Sequence, residues 1–356
     1  MVFSSNKASL RIVSAFVGVG VALFSGCWSD DPPPAEPPLQ PLVCDVSEDR
    51  TWIDSPFDTL SPMVRHRDWL IGVSQSSEAL LIGLSTTTGE TRDLIVTERL
   101  YLGSLLVDFP WFAVAENDEA FWPRPGSLWR GRVGADPRHV EQLFEYPFRA
   151  RVVGPAATAD WVYLAADNEL FALRDGQSSP QRIRLPSAPL DLVADETGVY
   201  WFDQQGTLSQ LELGAELPSM IVEGEVHATL LTSNGGSLYW LSEDLVARRL
   251  SHGGGSPSTV ATLDMHVGAS VTAMIASSGF IYVVEGRDME SSLLRVNLET
   301  RAIDTLLEST LSPESARLAL DDACVYRLGF GYRASRDQPL PAEGATLTSW
   351  LGRAAR

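Results

Sequence analysis

The sequence predicts an all-β fold, a single β-propeller of about seven four-stranded blades, and three observations predict it. First, a short apolar run, a polar turn and an aromatic-rich apolar run recur in that order over roughly residues 60–350. Second, the recurring position falls at residues 71, 112, 163, 200, 239, 282 and 326, with gaps of 41, 51, 37, 39, 43 and 44. A period of about 40–45 residues is that of a blade built from four short strands. Third, the clearest copy, residues 190–222, fits four short strands between turn signals. Stacking such blades in a ring buries both faces of each sheet and protects strand edges.

Residues 1–26 read as an export signal. Lys7 and Arg11 supply positive charge, and Ile12 to Phe24 is a mostly apolar stretch. That stretch is too short to span a bilayer, which needs ~20 residues, and it suits the apolar core of a secretory signal. Leu23-Phe24-Ser25-Gly26-Cys27 follows. It resembles the lipobox of bacterial lipoproteins, with Phe24 where an aliphatic residue is usual. That resemblance implies cleavage before Cys27 and lipidation of Cys27. It also implies outer-membrane rather than inner-membrane sorting, because Trp28, not aspartate, follows the cysteine. The alternative is an ordinary signal peptide with an unrelated cysteine.

Residues 27–43 form a tether. Asp30-Asp31-Pro32-Pro33-Pro34-Ala35-Glu36-Pro37-Pro38 has little to bury and stays extended as a semi-rigid spacer. Residues 44–356 are then the propeller. An oxidising compartment allows Cys44 and Cys324 to pair, pinning the N-terminal segment onto the last blade. Two unpaired thiols are the alternative.

Within the repeats, Asp195 to Gly198 is a tight turn and Val199-Tyr200-Trp201-Phe202 a strand, β-branched and aromatic. Gly206 to Leu213 and Ser219 to Val222 complete that blade. Further copies are Asp160 to Leu164, Gly236 to Leu241, Gly279 to Val283 and Ala323 to Tyr326, with weaker ones at Asp68 to Ile71 and Asp108 to Phe112. The 112–163 gap implies an insertion, with Ala115 to Pro125 a projecting loop. Six and eight blades are the alternatives to seven. Thr51 to Asp54 or Thr346 to Trp350 supplies the outer strand that closes the ring. The pairs Tyr200-Trp201-Phe202-Asp203 and Tyr239-Trp240-Leu241-Ser242 resemble degenerate YWTD repeats of extracellular propellers. The whole blade resembles propeller lipoproteins of delta-proteobacteria, which implies an envelope interaction platform.

The formal charge of −19 excludes a nucleic-acid partner, which needs a basic face, and excludes docking of the folded surface on anionic lipid. Membrane contact is therefore expected through the lipid anchor alone. Five histidines are present: His66, His139, His227, His252 and His266. None lies in a zinc-binding pattern, and no phosphate loop or serine-nucleophile elbow occurs. No metal or cofactor is expected. His66 and His139, among arginines, are expected at the surface, and His252 in a glycine turn. His227 and His266 fall near blade starts, where inner strands line a channel, and are binding candidates. Trp122 and Phe121 on the expected insertion are candidates for an exposed aromatic contact surface. The acidic pair Asp321-Asp322 reads as turn chemistry.

The function expected is non-catalytic binding or scaffolding by a monomeric propeller, with an envelope protein or polymer as partner. Two alternatives stand beside it. One is a channel-mouth lyase or hydrolase acting on a polymer, with His227 and His266 the first suspects. The other is an outer-membrane assembly factor.

Overall fold

The computed structural model describes residues 52–54, 63–73, 81–96, 112–134, 139–225, 228–242, 244–263, 269–277, 279–287, 290–309, 312–321, 324–331 and 348–355. These residues form seven four-stranded antiparallel sheets, and no helix occurs among them. From inner to outer strand, blade 1 is Met63–His66, Trp69–Val73, Leu81–Ser85 and Thr91–Ile95. Blade 2 is Ala113–Val114, Glu119–Arg124, Ser127–Arg132 and Val140–Glu145. Blade 3 is Val152–Ala157, Trp161–Ala166, Glu169–Arg174 and Gln181–Arg184. Blade 4 is Val193–Asp195, Gly198–Phe202, Leu208–Glu212 and Ser219–Val222, and blade 5 is Thr229–Asn234, Ser237–Leu241, Val246–Ser251 and Ser258–Thr262. Blade 6 is Ser270–Ser277, Phe280–Arg287, Glu290–Asn297 and Ile303–Ser309.

Blade 7 draws on both ends of the chain. Its first three strands are Ser312–Leu320, Cys324–Gly331 and Thr348–Ala355, and its outer strand is Trp52–Asp54. Trp52 pairs with Gly352, Ile53 with Leu351 and Asp54 with Trp350. The N-terminal segment is therefore the closing strand, and the C-terminal one lies inside the sheet. Inner strands touch in sequence around the ring, and that of blade 7 meets that of blade 1.

The core is divided among the seven joints. Each second strand alternates, so successive side chains enter opposite joints. Its third residue is Ile71, Phe121, Tyr163, Tyr200, Tyr239, Tyr282 or Tyr326, and in every blade it packs into the joint with the following blade. The next residue turns the other way: Trp201 packs against blade 3, Trp240 against blade 4 and Trp122 against blade 1. These rings are almost fully buried. Burying a large apolar side chain contributes about 1.5–3 kcal/mol, so a recurring aromatic at each joint is what makes the ring cohere.

The structure corrects the register of blade 2. Its recurring position is Phe121, not Phe112, which precedes the inner strand and packs against blade 1. The extra chain therefore lies between blades 1 and 2, where residues 97–111 fall outside the described set. Ala115 to Pro125 is a strand hairpin, not a projecting loop. Gly198 shows why its turn needs glycine. Its φ is +152°, and a Cβ there would lie 2.2 Å from the Leu211 carbonyl oxygen.

Candidate functional site

The turns between inner and second strands all emerge on one face of the ring. Asparagine, aspartate and serine occupy them because their side chains bond nearby backbone. Asp195 Oδ1 accepts from the Thr197 N–H at 2.9 Å, and Asp321 Oδ1 from the Cys324 N–H at 2.6 Å. Asp322 lies outside the described residues.

The same turns join neighbouring blades. Asn117 Nδ2 donates to the Ala159 carbonyl at 2.9 Å, joining blades 2 and 3, and Asn234 Nδ2 to the Ala276 carbonyl at 2.8 Å, joining blades 5 and 6. Ser233 donates to Asp195, joining blades 4 and 5. The Arg65 guanidinium lies 3.9 Å from Asp321 Oδ2, across the closing joint. At the joint of blades 1 and 2, His66 Nε2 lies 2.8 Å from Asp118 Oδ1, and Arg67 lies 2.9 Å from Asp118 Oδ2. The hydrogen bond to His66 is the largest influence on Asp118. Partial burial opposes it, but with the cations Arg67 and Arg132 it holds the carboxyl below the usual aspartate range.

His66 is thus an interblade residue with a side chain only 9% exposed, not a surface histidine. His252 does lie in its turn, but it is equally covered, stacks on Tyr200 and approaches Asp195 Oδ2 at 3.2 Å. His139 is exposed as expected. Ser233, Asp195 and His252 are residue types of a catalytic triad in the wrong order. The serine hydroxyl bonds the carboxylate, so no imidazole stands ready to take its proton. The carboxylate orients both partners and ties two blades together.

A solvent-open groove runs between blades 2 and 3. Glu119, Arg130, Thr158, Asp160, Trp161 and Asp175 are among its lining. Arg130 reaches Glu119 and Asp175 at 3.1 Å each and also bonds Glu141. Burial works to lower its pKa, but the hydrogen bonds and fields of Glu141 and Glu119 outweigh burial and raise it. A guanidinium shared by three carboxylates positions a turn; it offers no free charge to a ligand. Among the described residues no group of three or more His, Cys, Asp or Glu side chains could hold a metal. One carboxyl is perturbed upward: burial raises Asp191, just before the inner strand of blade 4, to about 6, against a hydrogen bond from the Leu192 N–H.

Of the four binding candidates drawn from the sequence, the described residues include two, Phe121 and Trp122. Trp122 is 1% exposed and Phe121 5%, so neither forms an external contact surface. The reason is periodicity: Phe121-Trp122 occupies the same two blade positions as Tyr200-Trp201 and Tyr239-Trp240. Cys27, Cys44, His227 and His266 lie outside the described residues. Cys324 is buried against blade 1.

Sequence reasoning placed the strands of blade 4 but missed the exposed apolar side chains of its outer hairpin. Leu213, Leu217 and Met220 are 41%, 79% and 62% exposed, three of the five large apolar side chains found exposed among the described residues. The signal was present as Leu217-Pro218-Ser219-Met220-Ile221-Val222, an outer strand without a charge.

No protein-family model and no curated protein matches the chain. Solved structures do. The RRP9 WD40 repeats are similar at a TM-score of 0.60 and 12% identity, over 88% of this chain and 99% of that one. The β-propeller domain of Cps50 (Swd1) from Myceliophteria thermophila gives 0.59 and 11%, over 86% and 99%. A computationally designed protein, Ika8, gives 0.52 and 12%, over 83% and 98%. At such identities the likeness establishes the fold these chains share, a propeller, and says nothing of a shared ligand.

Proposed function

We propose that this protein is an exported, lipid-anchored propeller that works as a non-catalytic binding or scaffolding module of the cell envelope. The observation that carries the reading is the use made of polar side chains. Among the described residues, the His–Asp, Arg–Asp and Asn–carbonyl groups of the turn face join blade to blade. They hold a rigid ring, and a rigid ring with seven outer edges and two loop faces is a platform for other molecules. The envelope part rests on the sequence: the Lys7–Phe24 signal, Cys27 after Ser25-Gly26, and the acidic proline-rich spacer before the first strand. Pairing of Cys44 with Cys324 belongs to the same reading. Supporting it, the Cys324 sulfur is disulfide-bonded rather than a free thiol, and the closing strand begins shortly after Cys44.

The test is metabolic labelling with an alkyne fatty acid, followed by membrane fractionation. The expected result is label on the wild type, none on Cys27→Ser, and recovery of wild type in the outer-membrane fraction. An unlabelled wild type in the soluble fraction would overturn the anchored reading.

A further inference from the structure

We propose that the outer hairpin of blade 4 docks an extended basic–apolar segment of another protein, which adds as a strand beside Ser219–Val222. The inference rests on the reading of the protein as a binding module and names the surface and the partner's chemistry.

Outer strands carry unpaired backbone groups and are normally guarded by charge. Blade 1 shows Thr91, Arg92 and Asp93 on its outer strand, blade 2 shows Glu141, Gln142 and Glu145, and blade 3 shows Arg182 and Arg184. Blade 5 has no charge but exposes only Ser258, Thr259 and Thr262. Blade 4 instead exposes Ser219 and Met220, with Leu217 and Leu213 beside them.

The hairpin is also held in place. The Ala215 N–H donates to the Glu212 carbonyl at 3.0 Å, Gln181 of blade 3 donates to the Ala215 carbonyl at 3.3 Å, and Ala215 packs into the core between those blades. Leu217 and Met220 are therefore presented on a fixed frame, which lowers the ordering cost of binding.

Charge selects the occupant. Exposed Glu212, Glu216 and Glu223 flank the apolar side chains, and the whole chain carries −19. A second copy would bring these glutamates against their equivalents. The chain's own Asp30–Pro38 segment is acidic, and its prolines lack the N–H a ladder needs. An extended partner segment with alternating apolar side chains and lysines or arginines satisfies the edge, the apolar patch and the carboxylates together.

The test uses purified protein and a fluorescein-labelled peptide of alternating valine and arginine, about eight residues long, read by fluorescence anisotropy. A peptide with the same charges and alternate prolines, and a valine–glutamate peptide, are the probe controls. The expected result is saturable binding of the first peptide only, with hydrogen-exchange protection appearing over Ser219–Val222. Met220→Lys should weaken binding at least about tenfold, as should Leu217→Ser with Met220→Ser. Thr259→Lys, the same charge change on blade 5, should leave it unaltered. All three positions are exposed, so unchanged thermal midpoints are expected and would certify the fold. The proposal is overturned by no saturable binding, by equal binding of the proline peptide, or by equal loss with Thr259→Lys. It is also overturned if the wild type self-associates in sedimentation and Met220→Lys abolishes that. Failure here leaves lipidation and envelope location untouched, so the two readings fail separately.

Discussion

Replacing Gly198 by alanine tests whether the blade register is right at a single atom. Gly198 pairs with Glu212 across the second and third strands of blade 4, and Val199 pairs with Leu211. The new Cβ would stand 2.2 Å from the Leu211 carbonyl oxygen and 3.0 Å from the Glu212 Cα. Both are backbone atoms, so relief requires the strands to part by about 1 Å. Overpacking of this kind costs about 1–3 kcal/mol, and an unfavourable φ for a non-glycine residue adds about 1–3 kcal/mol. The expected loss is about 2–6 kcal/mol, a large share of the ~5–15 kcal/mol that holds a typical domain folded. Gly214→Ala is the control: its φ is +75°, but nothing lies within 4 Å of the added methyl. It should cost about 1–2 kcal/mol from backbone strain alone. Urea midpoints of the two variants and the wild type, taken with the same probe, read the difference. If Gly198→Ala costs no more than Gly214→Ala, the close approach of those strands is not as described.

Three further outcomes follow from named side chains. Asp191 has a folded pKa raised from 3.8 to about 6 by burial, so its stabilising contribution is complete below pH 3.8 and is lost as pH rises through about 6. Asp191→Asn should therefore stabilise the protein by about 1–3 kcal/mol at pH 7 and by little at pH 4, read from urea midpoints across pH. Trp122→Ala should cost about 3–5 kcal/mol, as expected for a core indole; a change within about 0.5 kcal/mol would return Trp122 to the surface. Cys44→Ala should lower stability by about 2–4 kcal/mol under oxidising conditions and have no effect once the wild type is reduced.

The ring was legible in the sequence because its signal repeats. Every second strand carries a large apolar side chain at its third position, so seven weak copies reinforce one another where one would not suffice. The blade 4 strands, read from turn residues and alternation, match the structure almost residue by residue. The sequence misleads in blade 2 because Phe112 lies among aromatics at a plausible spacing, while Phe121-Trp122 is followed by Pro123 within the same strand. Aligning Phe121-Trp122 with Tyr200-Trp201 would have placed both in joints. Composition around a tryptophan reports less about exposure than its position in the repeat. The histidine partners were illegible for a different reason. His66 finds Asp118, 52 residues on, only because the ring brings two turns together. The blade 4 edge was legible as an uncharged outer strand, but its meaning depends on comparison with the other outer edges, which requires the register first.

In the function proposed above, an anchored ring works through its surface on an envelope partner. The most direct test is crosslinking in intact cells, followed by purification through a C-terminal tag and quantitative mass spectrometry of wild type, Cys27→Ala and Met220→Lys. The expected result is one stoichiometric envelope protein recovered with the wild type and lost from both variants, although both remain folded. Recovery of no partner, or of the same partner in equal amount with all three proteins, would contradict it.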